Sequence, residues 1–331
     1  MDRSLEGFKV TFSKMTNHPL ISVVICTYNR ADLLTTALQT VCEQTLDSNE
    51  YEVIVVDNNS TDETRAISES FIERYSNVRY FVESQQGLSH ARNLGWQKAV
   101  GQYVAYTDDD CKVPKQWLEV AKRIIEDVSP SAFGGPYFAF YITPKPHWYK
   151  DRYGSYTPFD QATTVEQTVK LYGPNLFCRR DLLKRVGSFQ PELGMVGTQI
   201  GYGEESAMLK QIQTAVPNAV FYYDPDLFVY HLVRPEKTSL RWVMQARFIN
   251  GRDYYRYCQI CGLPIHELKG LSTQVVFLLL GQWIWNLIRS VFFRDRVKYP
   301  YYQNYWYESA FENCFRLGVF YEQWQQKRGK R

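Results

Sequence analysis

The run Gly101-Gln102-Tyr103-Val104-Ala105-Tyr106-Thr107-Asp108-Asp109-Asp110 reads as a buried β-strand that ends in three adjacent carboxylates. Like charges one residue apart repel, so the cluster adds nothing to a fold unless a cation joins it. A divalent metal shared between carboxylates and a substrate's phosphates is the simplest remedy; a solvated acidic turn is the bland alternative. Ligands of an open α/β sheet bind beyond the carboxyl ends of its strands, where this cluster falls. The rest of the chain weighs on the side of a site.

Upstream, apolar runs alternate with helical periodicity. Strands are expected at 21–26, 51–56, 78–82 and 102–107, and helices at 31–44, 62–75 and 87–99. That alternation means a mostly parallel sheet covered by helices on both faces. Pro114 fits the first turn of a helix over 115–127. Regularity weakens after Ser129, and 134–164 reads as strands and long loops over the sheet. A helix returns at 204–214 and short strands at 220–223 and 227–230. From Pro235 the character changes: 240–257 is a helix studded with arginine, 270–293 is almost continuously apolar, and 299–324 is crowded with Tyr and Trp. The expected division is a tail over 1–18, a catalytic domain over 19–235 and a helical, aromatic-rich extension over 236–331.

Composition narrows the classes. A net charge of +3 over 331 residues gives a nucleic-acid partner no overall electrostatic support. The 7 cysteines are odd in number and scattered, which suits reduced thiols of a cytoplasmic protein. Cys258 and Cys261 have the spacing of half a zinc site, and no second pair completes it. The first eighteen residues lack the apolar core of a signal peptide.

Polar groups gather where the strands end. Thr27-Tyr28-Asn29-Arg30 follows the first strand and Asp57-Asn58-Asn59-Ser60-Thr61-Asp62 the second. Both can read a base or ribose, and Tyr28 can stack on a ring. Ser60 or Thr61 can instead cap the next helix. Asp57 directly follows Val55-Val56, so capping does not account for it, and a nucleobase imide N–H would suit it. Gln86 to Gly95 opens a helix whose amino end can face an anionic ligand, with Arg92 one turn in. No Gly-x-Gly-x-x-Gly and no Walker sequence occurs. Glu204 and Glu205 precede an amphipathic helix, behind a glycine-rich stretch expected to be mobile. They serve either helix electrostatics or general-base work on a sugar hydroxyl. His231 at a strand end is either structural or a metal ligand.

Taken in order, Val24 to Arg30, Val55 to Asp62, Gly87 to Gly95, Thr107 to Asp110, Gly173-Pro174-Asn175-Leu176-Phe177-Cys178-Arg179-Arg180 and Gly203-Glu204-Glu205 resemble family 2 glycosyltransferases of the nucleotide-diphospho-sugar (GT-A) fold. The resemblance covers roughly 20–235. It implies that Thr27, Tyr28, Asp57 and Arg92 hold the nucleotide. It places Asp108 at the ribose and sugar-phosphate side, and Asp109 or Asp110 on Mn²⁺ or Mg²⁺. It also implies an inverting transfer, from a nucleotide sugar carrying UDP to a glycan or lipid-linked acceptor, with the base in an acidic pair. That pair is Glu-Glu here instead of the commoner Glu-Asp, which leaves the base open between Glu205 and Glu204. The competing classes are a metal-dependent sugar nucleotidyltransferase and an inactive sugar-nucleotide or glycan-binding module. The first would want a glycine-rich triphosphate loop after the first strand. The second would have no need of all three aspartates and both glutamates.

The apolar stretch 270–293 is expected to rest on the cytoplasmic face of a bilayer without crossing it. Arg289 and three amides interrupt it, and a basic tail rich in tyrosine follows. The alternative is a helix packed on the catalytic domain or on a second copy in a homodimer.

Overall fold

The computed structural model describes residues 18–165, 171–187, 189–265 and 273–329. Four parallel strands form its centre: β1 (Ile21–Thr27), β2 (Tyr51–Asp57), β3 (Val78–Val82) and β4 (Tyr103–Asp108), in the order β3-β2-β1-β4. The crossovers are α1 (Ala31–Cys42), α2 (Thr64–Arg74) and α3 (Leu88–Lys98). Alternate residues point to opposite faces of a strand, and each run is apolar at both parities, so the sheet builds two cores. Val23, Ile25, Val53, Val55 and Ala105 pack with Leu34 and Leu38 of α1 on one face. Val24, Ile54, Val56, Val104 and Tyr106 pack with Ala91 of α3 on the other.

Pairing brings the strand ends level. Thr27 lies opposite Asp57, and Cys26 opposite Asp108. The chain leaves β1 toward β2 on one side and returns to β4 on the other. The crevice between β1 and β4 is therefore the switch point of the sheet, where ligands of this architecture bind.

Beyond β4 come β5 (Cys111–Lys112), α4 (Trp117–Val128), β6 (Ala132–Gly134), β7 (Tyr137–Phe140), β8 (Thr163–Thr164), β9 (Leu176–Arg179), α5 (Arg180–Val186), α6 (Glu204–Ala215), β10 (Phe221–Tyr223) and β11 (Val229–Leu232). The large sheet continues β4-β9-β6-β10-β8, with β9 antiparallel to both of its neighbours. β5, β11 and β7 form a second sheet. Its pairing of His231 with Cys111 brings the β11 histidine beside the aspartate cluster.

The C-terminal extension consists of α7 (Leu240–Ile260), α8 (Thr273–Ile288), a π-helical turn over Arg289–Phe293, α9 (Tyr302–Tyr305), a second π-helical turn over Trp306–Ala310, and α10 (Glu312–Gly329). Ser239 caps α7 by accepting the Trp242 N–H at 3.2 Å. α7 and α10 approach closely at two glycines. A Cβ at Gly251 would stand 1.9 Å from the Phe315 carbonyl oxygen, and one at Gly318 1.9 Å from that of Phe248. Glu322 ties the pair electrostatically, at 2.8 Å from Arg256 Nε.

The extension also grips the catalytic part. Tyr307 stacks on Tyr153 with ring centroids 3.8 Å apart. Glu308 accepts from Lys150, Arg152 and Tyr153. No helix among the described residues is long and apolar enough to cross a membrane. The expected tail over 1–18 and the first residues of the stretch 270–293 lie outside the described residues, His18 excepted.

Candidate active site

The aspartates after β4 diverge. Asp109 is buried, and Arg30 Nη1 donates to its Oδ1 at 2.7 Å and lies 3.8 Å from Asp110 Oδ2. Asp108 and Asp110 form with His231 and Cys111 a group whose ligand atoms all lie within 4.8 Å of one another. His231 Nε2 stands 3.2 Å from Asp110 Oδ1, off the line of a hydrogen bond, so that buried oxygen has no hydrogen-bond partner. Burial alone would raise the Asp110 carboxyl; His231, Lys237 and Arg30 around it outweigh burial and hold it well below the usual range. Burial pushes Asp109 up to about 6 against the pull of Arg30. It also keeps the Cys111 thiol protonated, with the Asp108 and Asp110 charges adding to the effect.

Two carboxylates and one imidazole with an unpartnered oxygen suit a hard divalent cation such as Mn²⁺ or Mg²⁺. Of the predicted ligands, Asp108, Asp110 and His231 are brought together; Asp109 is engaged by Arg30.

The loops after β1 and β2 are zipped to each other. Asn29 Oδ1 accepts from Thr61 N–H at 2.7 Å, and the Asn29 N–H donates to Ser60 Oγ at 2.9 Å. Asp57 does have structural partners, contrary to the sequence expectation. Its Oδ1 accepts the Ser60 N–H at 2.8 Å and its Oδ2 the Tyr80 hydroxyl at 2.6 Å. Asn58 is a brace as well, donating to the carbonyls of Glu83 and Gln85 and accepting from the Gly87 N–H. Tyr28 is half-buried, and Thr27 is buried with its hydroxyl lacking a partner. The strand-end residues thus divide into braces (Asn29, Asp57, Asn58) and groups with free capacity toward the crevice (Thr27, Tyr28).

The stretch 194–202, expected to be mobile, is held at several points. The Leu88 N–H donates to the Met195 carbonyl, Ser89 Oγ to the Leu193 carbonyl, and Val196 and Gln199 form a tight bridge. Gly197 lies close to the Tyr28 ring.

Arg92, expected beside a nucleotide, is enclosed, with side-chain exposure of 3%, among three carboxylates. Nη1 donates to Glu204 Oε1 at 2.9 Å and to Glu205 Oε1 at 3.0 Å, and Nη2 lies 3.5 Å from Asp108 Oδ1. A single guanidinium thereby joins the acidic pair at the start of α6 to the carboxylate at the end of β4. Gly173 leaves room for this contact: a Cβ there would sit 2.2 Å from Glu205 Oε1 and 2.3 Å from Arg92 Nη2 and would displace them. The two glutamates differ in setting. Glu204 is buried with one oxygen unpartnered, and burial, with the neighbouring Glu205 charge, pushes it up to about 8 against Arg92. Glu205 keeps side-chain exposure of 15% and lies near Tyr172.

Sequence reading missed three participants. Arg234 Nε lies 3.9 Å from Asp110 Oδ2, and Lys237 contributes its charge to the same carboxyl. Their signal was available: both follow His231 within six residues. Asp253, buried in α7, accepts the Tyr202 N–H at 3.0 Å and so fixes the backbone just ahead of Glu204. Nothing in the sequence pairs residues that far apart.

A mostly parallel sheet with carboxylates, an imidazole and cations at its switch point is the arrangement of the GT-A fold. The chain belongs to glycosyl transferase family 2, whose pattern matches residues 22–187. It is 34% identical over 176 residues to a glycosyltransferase, AglE, of Haloferax volcanii, covering 53% of this chain and 57% of that one. The match thus spans little more than half of that relative's length. To the glucosyl-dolichyl phosphate glucuronosyltransferase of the same organism it is 25% identical over 237 residues, 70% of this chain and 75% of the other. Among solved structures it resembles the mannosyltransferase PcManGT of Pyrobaculum calidifontis in complex with GDP-Man and Mn²⁺. The TM-score is 0.61 at 18% identity, over 94% of this chain and 89% of that one. At that identity the likeness speaks for the fold.

Proposed function

We propose that the protein transfers a sugar from a nucleoside diphosphate sugar to a hydroxyl of a glycan or lipid-linked acceptor, with inversion at the anomeric carbon. The observation that carries the reading is Arg92, which holds Glu205 and Asp108 to a single guanidinium at the switch point of the sheet. A base for the acceptor and a carboxylate for the donor's diphosphate end are thereby kept in fixed relation, as a single displacement requires.

Asp108, Asp110 and His231 are the residues that would hold Mn²⁺ or Mg²⁺. Such an ion supplies charge neutralisation of the departing diphosphate. Arg30, Arg234 and Lys237 surround Asp110 and add positive charge on the same side. Glu205 is the base in this reading, because it is the more exposed of the pair and neighbours the open Tyr172 side. Its carboxylate takes the acceptor's hydroxyl proton as that oxygen attacks the anomeric carbon. The carbon–oxygen bond to the diphosphate breaks, and its electron pair leaves with the diphosphate. Glu204 and Arg92 position the base and take no proton. Tyr28 is the stacking surface for the nucleobase, with Thr27 at the edge of the crevice.

The family resemblance favours uridine. The Pyrobaculum structure holds GDP-Man, so the fold alone does not choose the base. The dolichyl phosphate in the Haloferax relative's name supports a lipid-linked acceptor.

The test is a panel of nucleotide sugars with purified full-length protein and Mn²⁺, read by thermal stabilisation and slow donor hydrolysis. A ligand at 100 times its dissociation constant stabilises by about 2.7 kcal/mol. Stabilisation and nucleoside diphosphate release, both lost in EDTA, are expected. Stabilisation without turnover of any donor would leave a binding module. Release of pyrophosphate from a nucleoside triphosphate and sugar phosphate would indicate a nucleotidyltransferase. Calorimetry with UDP, GDP and dTDP separates the bases, and equal binding of all three would mean that the crevice does not distinguish them.

A further inference from the structure

The α8 helix and the π-helical turn after it present an apolar surface that nothing among the described residues covers. Phe277, Leu278, Ile284, Trp285, Phe292 and Phe293 are all exposed, Phe277 by 72%, Phe292 by 74% and Phe293 by 67%. A contiguous patch of large apolar side chains is a docking surface far more often than an accident of folding. The opposite side of the same element is firmly seated. Trp283 packs on Trp306 with centroids 5.1 Å apart, Tyr305 donates to Asn286 Oδ1 at 2.9 Å, and Trp306 donates to Ser290 Oγ at 3.2 Å. The helix is therefore a fixed platform with one face bound and the other bare.

Charge says what covers it. No acidic residue occurs between Thr273 and Phe293. At its carboxyl end stand Arg289, Arg296 and Lys298, all exposed, and among the described residues none of them makes an ion pair. Asp295, the one acid in that turn, accepts the Val297 and Lys298 N–H groups. Tyr301 and Tyr302, each with an apolar ring and a polar tip, are exposed just beyond. An apolar face edged by unpaired cations and amphipathic aromatics matches the boundary between anionic headgroups and acyl chains. A second copy of the same face would bring these cations against each other. We propose that this face docks the protein on an anionic lipid bilayer, with α8 lying in the plane of the headgroups.

The platform is coupled to the catalytic part. Trp306 lies under α8, while the adjacent Tyr307 and Glu308 hold Tyr153. The inference rests on the surface and stands apart from the transfer reaction, since vesicle binding needs neither donor nor acceptor.

The experiment is co-sedimentation of the full-length protein with phosphatidylcholine vesicles, with and without about one-third phosphatidylglycerol. Trp285 fluorescence quenching by brominated acyl chains is read alongside. Wild type should pellet with the anionic vesicles and largely remain in solution with the neutral ones. The variant Trp285→Ser/Phe292→Ser/Phe293→Ser should bind at least tenfold more weakly with an unchanged melting temperature, since those side chains are already exposed. Arg289→Gln/Arg296→Gln/Lys298→Gln should lose about tenfold in affinity for anionic vesicles and most of the salt dependence. Quenching should disappear in Trp285→Phe. Wild type that ignores both vesicles overturns the proposal. So does a stable dimer that the triple serine variant converts to monomer without any vesicle binding, which would assign the face to a second copy.

Discussion

The crevice at the ends of β1 and β4 and the bare face of α8 invert the usual partition of side chains in opposite senses. At the crevice Arg92, Asp109, Asp110 and Glu204 are buried. On α8 and the turn after it, phenylalanines and a tryptophan are exposed. Ordinary folding stabilises neither arrangement, because burying charge costs free energy and exposing large apolar groups forgoes it. In the readings proposed above, both regions are completed by something outside the chain. They differ in how the chain prepares for it. The crevice is over-braced, with Asn29, Asp57, Asn58 and Arg92 each held by several partners. Among the described residues the α8 face is braced from behind, through Trp283, Asn286 and Ser290. A reaction needs atoms fixed in position, whereas a lipid surface accepts any apolar arrangement.

The comparison breaks most sharply at Glu205. Glu205→Gln should cost on the order of 10²–10⁴ in turnover, with donor binding by calorimetry intact and vesicle binding untouched. If Glu204→Gln is the dead variant and Glu205→Gln turns over normally, the roles of the pair are exchanged. Asp110→Asn comes next, at roughly 10²–10³ in turnover, the usual cost of removing one group that stabilises charge in the transition state. Thermal stabilisation by Mn²⁺ should vanish in that variant, and retained metal stabilisation would move the ion elsewhere. A smaller effect is expected at the join between the two regions. Asp253→Asn keeps the shape but weakens the acceptor of the Tyr202 N–H. It should lower kcat severalfold with little change in KM for the donor, and Asp253→Glu should recover part of the loss. A fall in melting temperature with normal kcat would make Asp253 merely structural.

The central sheet was legible because its strands are apolar at both parities and its crossovers carry clear helical periodicity. The short β9 was not, since Leu176–Arg179 lies within a motif and is too brief to show a period. At the site, the aspartate cluster, the acidic pair and His231 could be named from their places at element ends. Their division of labour could not, because it depends on where side chains turn: Asp109 to Arg30, and Arg92 to both glutamates as well as to Asp108. Asp57 illustrates the same limit. A turn to Ser60 and a hydroxyl from Tyr80 account for both of its oxygens, and the Tyr80 contact is visible only once β2 and β3 are paired. The α8 face was legible as an apolar stretch interrupted by Arg289. Only the packing of Trp283 and Asn286 tells which side is free.

The smallest effect concerns two carboxyls at the crevice whose shifts run in opposite directions. Asp110 is held below its usual range by His231, Lys237 and Arg30, in spite of burial. Its contribution to stability is therefore present at neutral pH and is lost as pH falls. Glu204 is raised from 4.5 to about 8 by burial and by Glu205. The folded chain keeps that proton through a range where the unfolded chain has released it. The Glu204 contribution is thus complete below about pH 4.5 and is lost as pH rises through about 8. The two isosteric changes should then act with opposite sign on the metal-free protein. Asp110→Asn should lower the melting temperature at pH 7, because the surrounding cations lose their counter-charge. Glu204→Gln carries a neutral group at every pH, so its melting temperature relative to wild type should climb from pH 5 to about pH 8 and then level off. Melting curves in EDTA across that range measure both. A Glu204→Gln difference that stays flat with pH would mean that Glu204 is already ionised beside Arg92 in the folded chain, and that the crevice holds one more buried negative charge than its burial implies.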